Sequence, residues 1–251
     1  MSAVAKTHHS NKILFTVYKW IVVGPFLAVS TIVFATIIIL ISSLGAPNFA
    51  SRVFAKAWAR TNSAVSMMSV AHKGMENLDP KRSYVIVSNH QSLYDIYVLY
   101  GFLGIDIKWI MKKELRAVPF LGAACAAMGH IIIDRSNTDS ALNSINSARS
   151  RIVNGISVVF FPEGSRSRNG ELKDFKKGAF HFALQMGLPI LPVAIHGTKN
   201  ILPSDGIDLM PGQATIEILP AIETEGRGSD ALAELSREVR NQIGLALANP
   251  N

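Results

Sequence analysis

The sequence predicts an α/β fold: a mostly parallel or mixed sheet flanked by helices, preceded by an N-terminal membrane-associated two-helix segment. Three observations predict it. From about residue 80 onward, short apolar runs alternate with helical patterns, as in layered α/β domains. Residues 21–44 carry no charge and are long enough to cross a hydrocarbon core, which needs roughly 20 apolar residues. The 251 residues are 49% hydrophobic with a mean hydropathy of +0.26, more apolar than a soluble domain of that size usually is.

Residues 1–12 are polar and read as a loose tail. Gly24 and Pro25 kink or start the helix that follows. A cleaved signal peptide is disfavoured because the apolar run is too long for its core. A single span and a hairpin dipping into one face of a bilayer remain. Residues 48–71 have helical character, with Phe49, Val53, Phe54, Trp58 and Met68 apolar. Arg52, Lys56 and Arg60 recur every four residues as a basic stripe suited to an anionic interface. The plainer alternative is the solvated face of a core-packing helix. Lys6, Lys12 and Lys19 precede the apolar run and the stripe follows it, so both flanks are positive. That favours the hairpin over a span of clear orientation.

The pattern changes near residue 78. It divides the chain into a membrane-associating helical segment, 1–78, and an α/β domain, 79–251. In the domain, strands are expected at 84–88, 107–111, 131–134, 156–161, 190–196 and 214–219, and helices at 92–103, 138–153, 175–187 and 230–248. The last helix places Leu232, Leu235, Val239, Ile243 and Ala246 on one face.

Charge and composition remove several classes. The net charge is +7, but residues 1–80 hold seven Lys/Arg against two Asp/Glu, and the rest hold eighteen against sixteen. The positive excess thus surrounds the apolar region and points to a membrane surface; no nucleic-acid module is visible. The lone Cys125, in the run AACAAMG, rules out an intrachain disulfide and a cysteine metal site. With no base beside it, it reads as a packed thiol. His8, His9, His72, His181 and His196 show no ligand spacing, so no metal site is expected. No P-loop, G-x-G-x-x-G or G-x-S-x-G occurs, which disfavours those nucleotide sites and a serine esterase.

Candidate chemistry lies at strand ends. Asn89-His90-Gln91-Ser92-Leu93-Tyr94-Asp95 follows the strand YVIVS directly. On a continuous helix His90 and Asp95 would lie about 140° apart. They meet only if the chain turns between them, with His90 in the turn and Asp95 in the first helical turn. Asp95 then holds one ring nitrogen and frees the other as a base, a histidine–carboxylate pair with no protein nucleophile. The alternative is that Asp95 merely closes an S-x-x-D capping box with Ser92, and that His90 is a core histidine. A second cluster, Phe161 to Ser167, follows the strand ISVVFF. Pro162 stops the ladder, Gly164 allows a sharp turn, and Arg166 offers a planar fork suited to a phosphate monoester. Its plain alternative is a surface loop with a charge pair. Lys112 and Arg135 also end apolar strands, and Pro192 suggests an edge or a bulge.

These blocks resemble the glycerolipid acyltransferases, typified by 1-acylglycerol-3-phosphate acyltransferases. The family's N-H-x-x-x-x-D matches Asn89 to Asp95. Its K-x-E-L, P-x-x-G and G-x-I-x-I-D-R run matches Lys112 to Arg135. Its F-P-E-G-[ST]-R-S matches Phe161 to Ser167, and its V-P-V-type block matches Leu191 to Val193. His130 and Leu191 are the departures. The resemblance implies transfer of a fatty acyl group from acyl-CoA or acyl carrier protein to the sn-2 hydroxyl of lysophosphatidic acid, giving phosphatidic acid for phospholipid synthesis. It implies His90 as base, Asp95 as its partner, and Lys112, Arg135, Glu163, Gly164 and Arg166 as substrate contacts, without metal or bound cofactor. It also implies a bilayer location, with the domain on the cytoplasmic face of a bacterial inner membrane. Oxyanion donors are expected among backbone N–H groups near Ser92, or at Lys112. A thioesterase using the same pair, and a non-enzymatic membrane-surface protein, are the rivals.

Overall fold

A computed structural model of the chain describes residues 14–134, 152 and 154–249. The expected tail with His8 and His9, nearly all of the expected helix at 138–153, and Arg135 lie outside the described residues.

Leu14–Ser43 is one helix, α1, long and apolar enough to cross a membrane. Gly24 and Pro25 do not start it. A π-helical turn, Lys19–Val23, runs directly into them. Pro25 has no N–H to donate and its ring crowds the preceding turn, and the wider turn makes room for it. The chain reverses at Gly45, and Pro47 opens α2, which occupies 47–65 with its own π turn at Ser51–Ala55. Polar bonds tie the two helices together. Ser30 Oγ donates to Asn62 Oδ1 (2.8 Å), Trp58 Nε1 to Thr31 Oγ1 (3.1 Å), and the Tyr18 hydroxyl to Val65 O (2.9 Å). The pair is thus a helical hairpin.

The expected basic stripe is broken. Arg60 turns to the domain instead, donating from Nε to Gly101 O (2.8 Å) with its guanidinium 5.5 Å from the Phe102 ring. A cation is favourable there, at a helix C-terminus. The helix expected to reach residue 71 also stops at Val65. Met67, at φ 56°, turns the chain, and Met68–Lys73 becomes an edge strand, β1.

The remaining strands are β2 (Val85–Ser88), β3 (Asp106–Lys112), β4 (Ile131–Ile133), β5 (Ile156–Phe160), β6 (Ile190–His196) and β7 (Gly212–Ile218). They order as β1-β7-β6-β2-β5-β3-β4. Among these pairs only β6–β7 is antiparallel. The central strands are buried on both faces, which is why they read as unbroken apolar runs. Their alternate residues feed two cores. Ile86, Trp109, Val159 and Val193 pack with α3 (Tyr94–Phe102) on one face. Val85, Val87, Val158 and Phe160 pack on the other with α5 (Gly178–Met186) and α6 (Leu232–Ala248). Between them in the chain lies α4 (Leu121–Ala127), which the sequence reading did not foresee. Its Ala124, with Met128 just beyond, packs on Ala35 and Ile38 of α1.

Pro192 sits in a central strand, not at an edge. Its carbonyl accepts from Leu219 N (3.0 Å), and the β6–β7 ladder slips by one residue between Ile190↔Ile222 and Val193↔Ile218. The expected bulge is there, at the one place where a missing N–H costs no ladder bond.

Candidate active site

The site forms where the C-terminal ends of β2, β5 and β3 meet, the usual place in an open α/β sheet. After Ser88 the chain leaves the ladder, and Asn89 replaces it with a side chain. Asn89 Oδ1 accepts from Ile195 N (2.8 Å) and its Nδ2 donates to Ile195 O (2.9 Å). This amide extends β2 towards β6 by one step and fixes where His90 emerges.

His90 Nδ1 lies 2.8 Å from Oδ2 of Asp95. The same oxygen accepts the backbone N–H groups of Gln91 (2.7 Å) and Ser92 (2.9 Å), while Oδ1 accepts from the Thr198 hydroxyl (2.5 Å). Asp95 is wholly buried and His90 partly so. Both readings of the spacing therefore hold together. Asp95 accepts the Ser92 N–H, half of a capping box, while the Ser92 hydroxyl accepts Tyr94 N (3.1 Å), and it also holds the imidazole, with Nδ1 as the donating nitrogen and Nε2 left over. The His90 ring stacks on Phe161, centroids 3.9 Å apart and planes 10° from parallel. That removes the remaining freedom of the ring.

Glu163 sits differently from the expectation that it touches substrate. Its Oε1 accepts the N–H of His90 (2.7 Å) and its Oε2 that of Lys173 (3.1 Å). Burial pushes its carboxyl upward, opposed by those two backbone bonds. Glu163 is a strap between loops. The oxyanion donors expected near Ser92 are also engaged, because the Gln91 and Ser92 N–H groups point at Asp95. The turn around Glu163 closes through Gly164 N to Phe161 O (3.1 Å), and Gly164 has φ +74°, where an added Cβ would lie 2.9 Å from the Lys176 side chain.

His90, Lys112, Gly164 and Arg166 line one cavity of about 770 Å³, within the usual size for a small-molecule site. It brings Lys112 from β3 and Arg166 from the β5 loop to the same opening as His90. Asp95 and Glu163 stand behind the wall. The cavity continues between the hairpin and the sheet, past Phe34, Ala35 and Ile38 of α1 and Ala124 of α4. The polar end holds His90 and the cations; the other end is largely apolar. Cys125 lines it too, its thiol pushed up to about 12 by burial, so it is a packed thiol and no nucleophile. His130 lies deeper, within 2.5 Å of the Tyr100 hydroxyl, and burial, aided by Lys108, lowers it to about 3. Among the described residues no group of His, Cys, Asp and Glu could hold a metal ion.

Thr198 and Phe161 hold the His90–Asp95 pair in place, and no spacing rule singled them out. Phe161 was visible only as the first letter of its block. Thr198 follows Gly197 at the end of β6, and nothing local marks it.

The profile of the acyltransferase family matches residues 69–196. The chain is 34% identical to a 1-acyl-sn-glycerol-3-phosphate acyltransferase of Saccharomyces cerevisiae over 209 residues, which cover 82% of this chain and 68% of that one. It is 35% identical to one from Pseudomonas aeruginosa over 177 residues, 70% of this chain and 68% of that one. The fold matches the crystal structure of the 1-acyl-sn-glycerophosphate acyltransferase PlsC of Thermotoga maritima with a TM-score of 0.78 and 25% identity, over 95% of both chains. With the histidine–carboxylate pair, the cavity and the hairpin already in place, the chain belongs to the acyltransferase family.

Proposed function

We propose that the protein transfers a fatty acyl group from a thioester, acyl-CoA or acyl carrier protein, to the sn-2 hydroxyl of 1-acylglycerol-3-phosphate. The product is phosphatidic acid, the precursor of membrane phospholipids. The observation that carries this reading is the His90–Asp95 pair at the polar end of a cavity whose far end is apolar. An acyl chain and a charged headgroup need those two ends.

In the proposed step His90 Nε2 takes the proton of the acceptor hydroxyl as its oxygen attacks the thioester carbonyl. Asp95 stabilises the imidazolium that results. The tetrahedral intermediate collapses by breaking the carbon–sulfur bond, and the imidazolium returns the proton to the departing thiolate. The thioester is already activated, so no covalent enzyme ester, metal or redox step is used. Arg166 and Lys112 hold the acceptor phosphate; the family resemblance adds Arg135, which lies outside the described residues. Arginine suits this because its fork binds phosphate through two parallel bonds. The apolar α1 and the positive N-terminal charge support attachment to an anionic membrane, with the domain on the cytoplasmic face, where thioester donors are made.

The test is direct. Protein in mild detergent is given lysophosphatidic acid and labelled long-chain acyl-CoA, beside a His90→Ala variant. Phosphatidic acid from the wild type and a loss of about 10²–10⁴ in the variant support the reading. Free fatty acid without phosphatidic acid would make the protein a thioesterase. Equal product from both would remove His90 from its role.

A further inference from the structure

Residues 112–120 leave the end of β3 and pass over the opening of the cavity before α4 begins. All nine are exposed. Outside the helical hairpin, eight large apolar side chains are exposed among the described residues, and four of them (Leu93, Leu115, Val118 and Phe120) belong to this loop or to the His90 turn. Leu93, Leu115 and Lys112 also line the cavity, so the apolar cluster borders its opening.

The backbone holds this cluster outward. Phe120 has φ 60° and ψ −55°, and Leu121 N donates to Pro119 O (2.6 Å). That is a γ-turn of the rare, strained kind, at a residue with a bulky side chain. The turn is locked behind it: Gly122 N donates to Val118 O (2.9 Å), and a Cβ at Gly122 would lie 2.2 Å from Arg116 O. Among the described residues this strained aromatic stays 45% exposed, so packing offsets the strain only in part.

We propose that this loop is a second membrane-contact element, with Val118 and Phe120 inserted among lipid acyl chains and Lys112 and Arg116 level with anionic phosphates. This rests on the reading that the hairpin is membrane-attached. Two further observations favour a bilayer. The loop runs straight into α4, which packs on α1, so its apolar surface continues that of the hairpin. Its own charges are three cations against Glu114 alone; Lys113 is paired with Asp134 (2.6 Å), which leaves Lys112 and Arg116 as the cations turned to a partner. With both elements on the membrane, the cavity opens into the lipid, and the lysolipid enters sideways without leaving the bilayer.

The experiment uses full-length protein in phosphatidylglycerol-rich vesicles, labelled with an environment-sensitive fluorophore at Val118→Cys or, on α1, at Val29→Cys. The native Cys125 is buried and labels poorly. Blue-shifted emission at both positions, quenched by lipids carrying bromine high on the acyl chain, is expected. A buried label at 29 with a water-exposed label at 118 overturns the proposal and leaves the hairpin anchor standing. Labels in water at both positions overturn both readings. A response at 118 only to an acidic carrier protein would make the loop a protein-docking surface instead. Independently, Val118→Gln/Phe120→Asn is expected to lose about tenfold in rate on vesicle-borne lysolipid, from two half-buried side chains. Its rate on a monomeric short-chain lysolipid should hold. An equal loss on both substrates sinks the proposal.

Discussion

The backbone N–H of His90 donates to Oε1 of Glu163 over 2.7 Å, across 73 residues of sequence. A buried carboxylate thus joins the end of β2 to the end of β5, and its second oxygen reaches on to Lys173 N. The His90 turn and the cation-bearing turn are one unit. Glu163→Gln turns one acceptor into a donor facing a donor, so one buried N–H loses its partner, at about 1–3 kcal/mol. The expected outcome is a fall in kcat of about tenfold or more with a lowered melting temperature. KM for the acceptor should change less than kcat, because Glu163 does not line the cavity. A pure KM effect would return Glu163 to the substrate-binding set.

Thr198 acts on the same pair from the other side. Its hydroxyl is the one donor to Asp95 Oδ1 among the described residues. Thr198→Val leaves that buried oxygen without a partner, which costs about 1–3 kcal/mol and lets the carboxylate swing away from His90. Activity and thermal stability should both drop, and Thr198→Ser should restore them. A Val variant as active and stable as the wild type would mean that water takes over the site.

How much of this was legible follows from what burial does to a sequence. β2, β5 and β6 are covered on both faces and read as apolar runs bounded by turn residues, so their positions were found within a residue or two. β1 was missed because MSVAHK follows a helical pattern without a breaker and becomes a strand only through β7, about 140 residues on. α4 was missed for the opposite reason. Its Leu, Gly, Ala and Cys residues have no polar face, since α1 covers one side and the cavity lies on another. The His90–Asp95 pair was legible because five residues after a strand end is a local relation. Thr198 and the strap through Glu163 were not, because their partners are 103 and 73 residues away.

The apolar end of the cavity gives a size prediction. Ala35 of α1 is buried and lines it opposite Ala124. Ala35→Leu fills space that the end of an acyl chain would occupy. Each methylene left unburied forfeits about 0.8 kcal/mol, roughly fourfold in relative kcat/KM. Competition between acyl donors of different length should therefore shift towards the shorter ones. An unchanged length profile would mean that the acyl chain takes another path.

His130 gives a pH prediction with a definite sign. Its ring is buried against the Tyr100 hydroxyl, and burial lowers it to about 3 from an ordinary value of 6.5. Below pH 6.5 the unfolded chain therefore takes up a proton that the folded chain refuses. Stability from this group is complete above about pH 6.5 and falls as the pH drops towards 3, reaching a loss of about 2 kcal/mol at pH 5. His130→Gln keeps a hydrogen-bonding side chain but cannot titrate. Its stability, measured by denaturant unfolding in mild detergent at pH 7 and pH 5, should fall less than that of the wild type over the same interval. Parallel losses in the two proteins would mean that His130 takes up its proton in the folded state, and that the pair with Tyr100 opens in acid.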